Sequence, residues 1–335
     1  METPKKRKSR SGTAEGGLDE RLIEIARAYY EQDHDQSQIA KSFGISRSQV
    51  SRYLKKAKEL SLVQVRVVSP NERTGKVETA LKRRFCSLQE AIVVPVFNLQ
   101  PEPLRKTIAR ACAHYLEQVI RPGLRICVGS GRTLCEVFAW LHPTQVPNVS
   151  IVQAMGNVGH EAMDIDFNQM ARAAADAFGA KVFFMNAPAI LGLGTVTELG
   201  NANPSIKEAL HMAHTADMYL FGIGSLSSDL IFTRGGIFKL QDLEQLRLAG
   251  SIGDICARFF DLKGIEISSS FEERIVGITL DDLRTKAATI AVAGGPDKVL
   301  PLIGALHGGF IKVLITDEQT ANAILEYEGE LDHPQ

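Results

Sequence analysis

Asp35–Lys56 reads DQSQIAKSFGISRSQVSRYLKK, two short helices joined by a tight turn. Ile39, Ala40 and Phe43 share one face of the first helix, and Val50, Tyr53 and Leu54 share one face of the second, at amphipathic spacing. Small Ala40 permits close approach of the helices, and Gly44 can take the positive φ that a sharp helix exit requires. Asp35 with Gln38, and Ser46 with Gln49, have the spacing of a capping box, so each helix start is marked separately. This is the pattern of a DNA-binding helix-turn-helix, in which the second helix enters the major groove. Its outward residues are Ser46, Arg47, Ser48, Gln49, Ser51, Arg52, Lys55 and Lys56. Arg and Gln make bidentate contacts to guanine and adenine, while Ser and Lys suit phosphates. An ordinary helical hairpin with a solvated basic face is the plainer reading. It gives no reason for apolar, small, glycine and cap residues to fall together in this order.

Around this motif the chain divides. Leu18, Leu22, Ile25, Ala26 and Tyr29 repeat at helical spacing and predict a supporting helix. The first seventeen residues, METPKKRKSRSGTAEGG, are polar and aperiodic, and are expected to form a disordered basic arm over 1–17. Leu62–Val68 alternates and is β-branched, which predicts a strand and a winged arrangement. Ser69-Pro70-Asn71 marks a boundary, giving a helix-turn-helix domain over 18–70 and an effector domain over 71–330.

Composition agrees with two functions in one chain. At 335 residues, 44% hydrophobic and 23% charged, the protein suits a small module joined to a larger globular domain. The net charge of −1 hides a split: residues 1–70 carry fourteen Lys+Arg against nine Asp+Glu, or +5, leaving −6 for the remainder. A basic module on an acidic body fits DNA at one end and another ligand at the other. With no apolar run of about 18 residues and no signal peptide, a cytoplasmic protein is expected, with no membrane partner. The five cysteines are scattered, odd in number and set mostly in apolar contexts, as expected of buried thiols.

From about residue 73 apolar runs alternate with helical segments. Strands are expected at Ala91–Val94, Leu124–Val128, Val149–Met155, Lys181–Met185, Met218–Phe221, Ile275–Ile278, Thr289–Ala293 and Ile311–Ile315. Helices are expected at Pro103–Val119, Thr133–Leu141, Phe167–Phe178, Ser205–His214 and Lys298–Leu306. The class is α/β, with a Rossmann-like, mostly parallel sheet covered on both faces.

Ligands of such sheets bind beyond the carboxyl ends of the strands. Three glycine loops fall there. Gly129-Ser130-Gly131-Arg132-Thr133 follows a strand and opens a helix, so its N–H groups can hold a phosphate. Gly222-Ile223-Gly224-Ser225 follows another strand, and Gly294-Gly295-Pro296-Asp297-Lys298 a third. Lys298 in the first turn of a helix opposes the helix dipole, which makes more sense beside an anion. Any one loop could be a tight turn; three at one sheet edge favour an anionic small molecule. Met155–His160, with Asn157, could line the same pocket from the side. Asp254 could accept from sugar hydroxyls or act as a base, or it could simply form a turn. The histidines show no metal-ligand spacing with carboxylates, so no metal is assigned, and no cofactor is called for.

QIAKSFGISRSQVSRYLKKAKE, VGSGRTL, GIGS, GDICARFFD and AGGPDKVLPLIGALHGGFIKVLITDEQTA together resemble the SorC family of bacterial transcriptional regulators, over about residues 18–327. The resemblance implies a helix-turn-helix joined to a sugar-binding domain related to sugar-phosphate isomerases. It implies a phosphorylated sugar as effector and a homodimer or homotetramer as the working form. The phosphate would lie on Gly129–Thr133, with Gly222, Gly224, Ser225, Gly294, Gly295 and Lys298 around the ligand and Asp254 facing its hydroxyls. The enzyme alternative, an active isomerase or deaminase fused to a DNA-binding module, lacks an evident acid–base pair, so no catalytic residue is assigned. A constitutive architectural DNA binder would leave the large acidic body without a purpose.

Overall fold

Asp35 accepts hydrogen bonds from the N–H groups of Ser37 and Gln38 and so starts α2 (Gln36–Phe43), while the Gln38 side chain returns to the Asp35 N–H. Gly44 ends that helix in the left-handed conformation, φ 62° and ψ 37°. Ser46 and Gln49 repeat the capping box at α3 (Arg47–Glu59). Both helices pack on α1 (Ala14–Tyr30): Ile25 and Ala28 meet Ile39, Val50 and Leu54 in one small core, edged by Tyr29, Ala40, Phe43, Ile45 and Tyr53. The Arg21 guanidinium donates to the Phe43 carbonyl and satisfies one of the last acceptors of α2.

This is a computed structural model, and it describes residues 14–32, 34–60, 62–63, 70–96, 100–158, 166–227, 231–268 and 272–332. The chain divides into two units, Met1–Val68 and Ser69–Gln335. α1 begins at Ala14, inside the stretch expected to be disordered. Ala and Glu are strong helix formers, and extending an existing helix costs far less than nucleating one, so Gly16 and Gly17 are carried along. Residues 1–13 lie outside the described residues. Leu62 and Val63 form no strand, and 64–68, the rest of the expected wing, also lie outside them.

The second unit opens with α4 (Pro70–Arg84), β1 (Glu90–Val94), α5 (Pro101–Val119), β2 (Arg125–Val128), α6 (Arg132–Trp140), β3 (Ser150–Gln153), α7 (Phe167–Phe178) and β4 (Lys181–Phe183). It continues through α8 (Val196–Ala202), α9 (Pro204–His214), β5 (Met218–Phe221), β6 (Gly224–Ser225), α10 (Ile231–Arg234), α11 (Leu240–Leu248), β7 (Gly253–Ile255) and β8 (Arg258–Phe260). It closes with α12 (Leu280–Thr285), β9 (Thr289–Val292), α13 (Val299–His307), β10 (Val313–Asp317) and α14 (Glu318–Asp332).

Seven strands form one parallel sheet in the order β1-β10-β9-β5-β2-β3-β4. Side chains alternate between two apolar layers. Ile126, Val128, Met218, Leu220, Ile290, Val292, Val313 and Ile315 point into one with α5, α6 and α7. Cys127, Tyr219, Phe221, Ala291 and Leu314 point into the other. A strand buried on both faces reads as a continuous apolar run, which is why these strands were visible in the sequence. From β2 the chain steps outward to β3 and β4 on one side, then returns to place β5 on the other side of β2. That reversal is the topological switch point of the sheet.

The expected strand at Ile275–Ile278 is a correction. The run is buried but joins no sheet, making only single bridges, Ile275 with Ile190 and Gly277 with Met155. Two of its carbonyls, Ile275 and Ile278, accept from the buried Arg258 guanidinium, which also donates to the Glu272 oxygen, while Val276 exchanges backbone hydrogen bonds with Gly156 and Ala189. Apolarity signalled burial; scattered backbone bonds and one side-chain donor stand in for a continuous ladder.

A cavity at the switch point and a basic helix face

Three loops leave the carboxyl ends of β2, β5 and β9, the strands at the switch point, and surround a cavity of about 340 Å³. Ser130, Gly131, Arg132 and Thr133 line it from the first loop, Gly222, Gly224 and Ser225 from the second, and Gly294, Gly295 and Lys298 from the third. Asp254 enters from β7, paired with Gly224 of β6 in a separate three-stranded antiparallel sheet. These short strands carry too few residues to show a period.

Gly131 is the N-cap of α6, with φ 136° and ψ 159° and no side-chain cap. Gly131 itself thus offers no side-chain acceptor to the first turn of α6 where the loop lines the cavity. A Cβ on Gly131 would meet nothing within 4 Å, so the approach is open. The third loop is pinned from below: the Gly295 N–H donates to Asp317 Oδ2 at 3.1 Å and Thr320 Oγ1 at 2.8 Å. Lys298 precedes α13 at the end of a 3₁₀ turn, Pro296–Lys298, as N-cap of the helix; its expected place in the first turn is thus corrected. Its Nζ lies 3.0 Å from Asp297 Oδ2 and donates to Ser225 Oγ at 3.2 Å.

Asp254 forms a turn, one of the readings that the sequence left open. Its Oδ2 accepts the Ala257 N–H at 3.1 Å and so braces the β7–β8 turn, where Cys256 and Ala257 both hold positive φ. This is the two-residue hairpin geometry that usually selects Asn-Gly, so two side chains sit in left-handed backbone. Its other oxygen, Oδ1, is buried without a hydrogen-bond partner among the described residues. Burial pushes this carboxyl up to about 6, against the downward pull of the Ala257 N–H and of Lys298.

The raised value has a consequence for stability. Below about pH 4 the folded and unfolded chains both hold the proton and the group contributes nothing. Between about 4 and 6 the unfolded chain ionises first, and the native state loses up to about 3 kcal/mol, a loss complete above 6. Asp254→Asn should remove this dependence. Urea unfolding of both proteins at several pH values should give a stability difference that shifts in favour of the variant from pH 4 to 6.5 and is flat above (~2 pH units of change). Parallel pH profiles would mean that Asp254 titrates normally.

Two expected residues are not at the cavity. Gly129 lies beneath its loop, where a Cβ would crowd Phe221 Cβ at 3.2 Å and Cys256 Sγ at 3.4 Å. Asn157 is instead tied through its backbone to Ala187 and Ala189. Gly159 and His160 of the same stretch lie outside the described residues. The cavity also recruits Arg105 from α5, with Pro101, Leu104 and Ile108, and Met155, Phe232, Cys256 and Asp297. Of these, Met155 belongs to the stretch expected to line the pocket from the side and Asp297 to the third glycine loop; the others carried no signal in the sequence.

On α3, Val50, Leu54 and Ala57 are buried, and Ser46, Arg47, Ser48, Ser51, Arg52, Lys55 and Lys56 are exposed, as expected. Gln49 is half-buried, and its Oε1 accepts the Ser46 N–H at 2.9 Å, so part of this side chain is committed to the cap. Arg47 and Arg52 form no ion pair among the described residues.

The sugar-binding domain family model matches residues 69–326, the unit that contains the cavity. The chain belongs to the SorC family of transcriptional regulators. It is 33% identical to the deoxyribonucleoside regulator of Bacillus subtilis over 305 residues, 90% of this chain and 96% of that one. It is 28% identical to the sorbitol operon regulator of Klebsiella pneumoniae, over 91% and 97% of the two chains. The crystal structure of that full-length regulator, SorC, superposes with a TM-score of 0.70 at 26% identity, covering 94% of this chain and all of the other. As a SorC-family member this protein is a transcriptional regulator that pairs a helix-turn-helix with a sugar-binding domain. No helix among the described residues is long and apolar enough to cross a membrane.

Proposed function

We propose that this regulator acts in the cytoplasm, binds double-stranded operator DNA through α3 and changes its affinity when a phosphorylated sugar enters the cavity. The observation that carries the reading is the convergence of three glycine loops and Lys298 on one cavity at the switch point. The α6 N-terminus, with glycine as its cap residue, suits a phosphate, and Asp254 Oδ1, buried and unpartnered among the described residues, suits a sugar hydroxyl. Turnover fits less well. Asp297 is ion-paired to Lys298, and Asp254 is half committed to a turn, so the described cavity offers no free acid–base pair. Thermal-shift screening of the intact protein against phosphorylated and plain sugars tests the reading, since binding to the folded state alone raises the melting temperature. No shift with any phosphorylated sugar would overturn it.

The domains are 18–70 for DNA and 71–330 for the effector, and the working form is a homodimer or homotetramer. One helix-turn-helix reads only a few base pairs, and a two-fold pair reads two half-sites. α4, after the DNA-binding unit, would supply part of the contact. Light scattering should give a mass at least twice that of the chain, and a stable monomer both free and on DNA would refute this.

For DNA reading, Arg52→Ala should cost roughly 1–3 kcal/mol of specific binding and relax the preference at one base pair. Lys55→Ala should weaken all sequences about equally and lower the salt dependence. Both follow from operator titrations at several salt concentrations, and an unchanged operator preference in Arg52→Ala would remove α3 as the reader.

A further inference from the structure

The charges around the cavity are unevenly matched. At one end Lys298 is already neutralised by Asp297 at 3.0 Å, with Ser225 Oγ bridging the two and Asp254 close enough to feel its charge. Arg105 on α5 also lines the cavity. Its neighbour Glu102, one turn earlier, is held instead by Lys106 at 2.6 Å. Arg105 Nε is buried and meets no acceptor, and the guanidinium forms no ion pair among the described residues. It reaches towards α6, where its charge opposes the push to about 11 that burial gives the Cys135 thiol. A buried guanidinium N–H without an acceptor is costly unless a ligand supplies one.

We propose that Arg105 is an anion-binding residue of the effector site, gripping a single phosphate together with the α6 N-terminus. This rests on the effector reading above and deepens it by orienting the ligand. The phosphate lies between Arg105 and Gly131–Thr133. The hydroxyl end lies towards Ser225, Lys298 and the free Asp254 Oδ1, which is 5% exposed at the residue level. A second phosphate at that end would face the Asp297 and Asp254 carboxylates, so the site takes a sugar monophosphate and rejects a bisphosphate. Arginine suits the role because its planar fork presents two parallel donors to phosphate oxygens, which a lysine does not.

The test titrates the full-length protein with inorganic phosphate, ribose 5-phosphate, fructose 1,6-bisphosphate and unphosphorylated ribose. Binding is read as melting-temperature shift at constant ionic strength. In the wild type, phosphate and ribose 5-phosphate should stabilise, and the bisphosphate should bind more weakly than the monophosphate. Arg105→Met should weaken both phosphate ligands by about 10–100-fold, with the response to ribose unmoved. Arg105→Lys should recover part of the loss, since it restores the charge without the fork. A uniform loss for ribose and phosphates alike would mark a structural role and overturn the proposal. So would wild-type phosphate affinity in Arg105→Met, or preferred binding of the bisphosphate. If the wild type ignores every phosphorylated ligand, the effector reading itself falls, a result separable from failure of Arg105 alone.

Discussion

Gly131→Asp is expected to abolish the effector response of this regulator, and Lys298→Ala to shift it to roughly 10–100-fold higher ligand concentration. The aspartate would set a negative charge at the mouth of the α6 N-terminus, where the proposed phosphate approaches. It would also place a side chain at φ 136°, a backbone region that disfavours any residue but glycine. Lys298→Ala acts differently. It removes the cation that bridges Asp297 and Ser225 and that restrains the upward shift of Asp254. Two carboxylates would then face the ligand's hydroxyl end with less compensation. Neither substitution touches α3, so the reading helix stays intact. An effector changes DNA affinity only through differential binding to two states, typically by about 1–3 kcal/mol, so weakening its site moves the dose response. Operator titrations at several concentrations of a stabilising sugar phosphate measure this directly. Wild-type dose responses in both variants would mean that the loops are only turns.

The largest effect on stability is expected at Gly264, in the turn after β8. It is buried at φ 72°, and a Cβ there would lie 2.2 Å from Gly308 Cα and 2.7 Å from the Gly304 carbonyl oxygen. Both neighbours belong to the C-terminal end of α13, whose residues Leu302–Leu306 are fully buried. Backbone cannot rotate away as a side chain can, so Gly264→Ala should cost about 3–5 kcal/mol, strain and displacement together. Gly250 is the control: it has φ 88° but no atom within 4 Å of the added Cβ. Gly250→Ala should cost only about 1 kcal/mol, the left-handed penalty alone. Chemical denaturation of the three proteins separates the terms. Equal losses in the two variants would show that the contact with α13 contributes nothing.

That contact also bears on how the site is held. α13 starts directly after its N-cap Lys298 beside the cavity and ends against the Gly264 turn, so one buried helix spans from the cavity to the core. Its N-terminal loop is fixed by Asp317 and Thr320 from β10 and the start of α14. A cavity built on rigid elements in this way holds its donors in place before any ligand arrives.

What the sequence determined by itself was local or periodic. The capping boxes of Asp35 and Ser46, the left-handed Gly44 and the buried faces of α2 and α3 depend on neighbours three or four residues away. The parallel strands were legible because burial on both faces makes them unbroken apolar runs, and the glycine loops because each directly follows such a run. Tertiary structure alone decided what meets across the fold. It carried Asp254 on a three-residue strand to Gly224, turned Arg105 from an ordinary helix position into a cavity wall, and cancelled Lys298 with Asp297. It also let Arg258 take the Ile275 and Ile278 carbonyls at the two ends of a run that the sequence presented as a strand. Apart from the neighbouring Asp297 and Lys298, none of these pairings has a period or a fixed spacing, because each is set by packing and charge between segments separated in the chain.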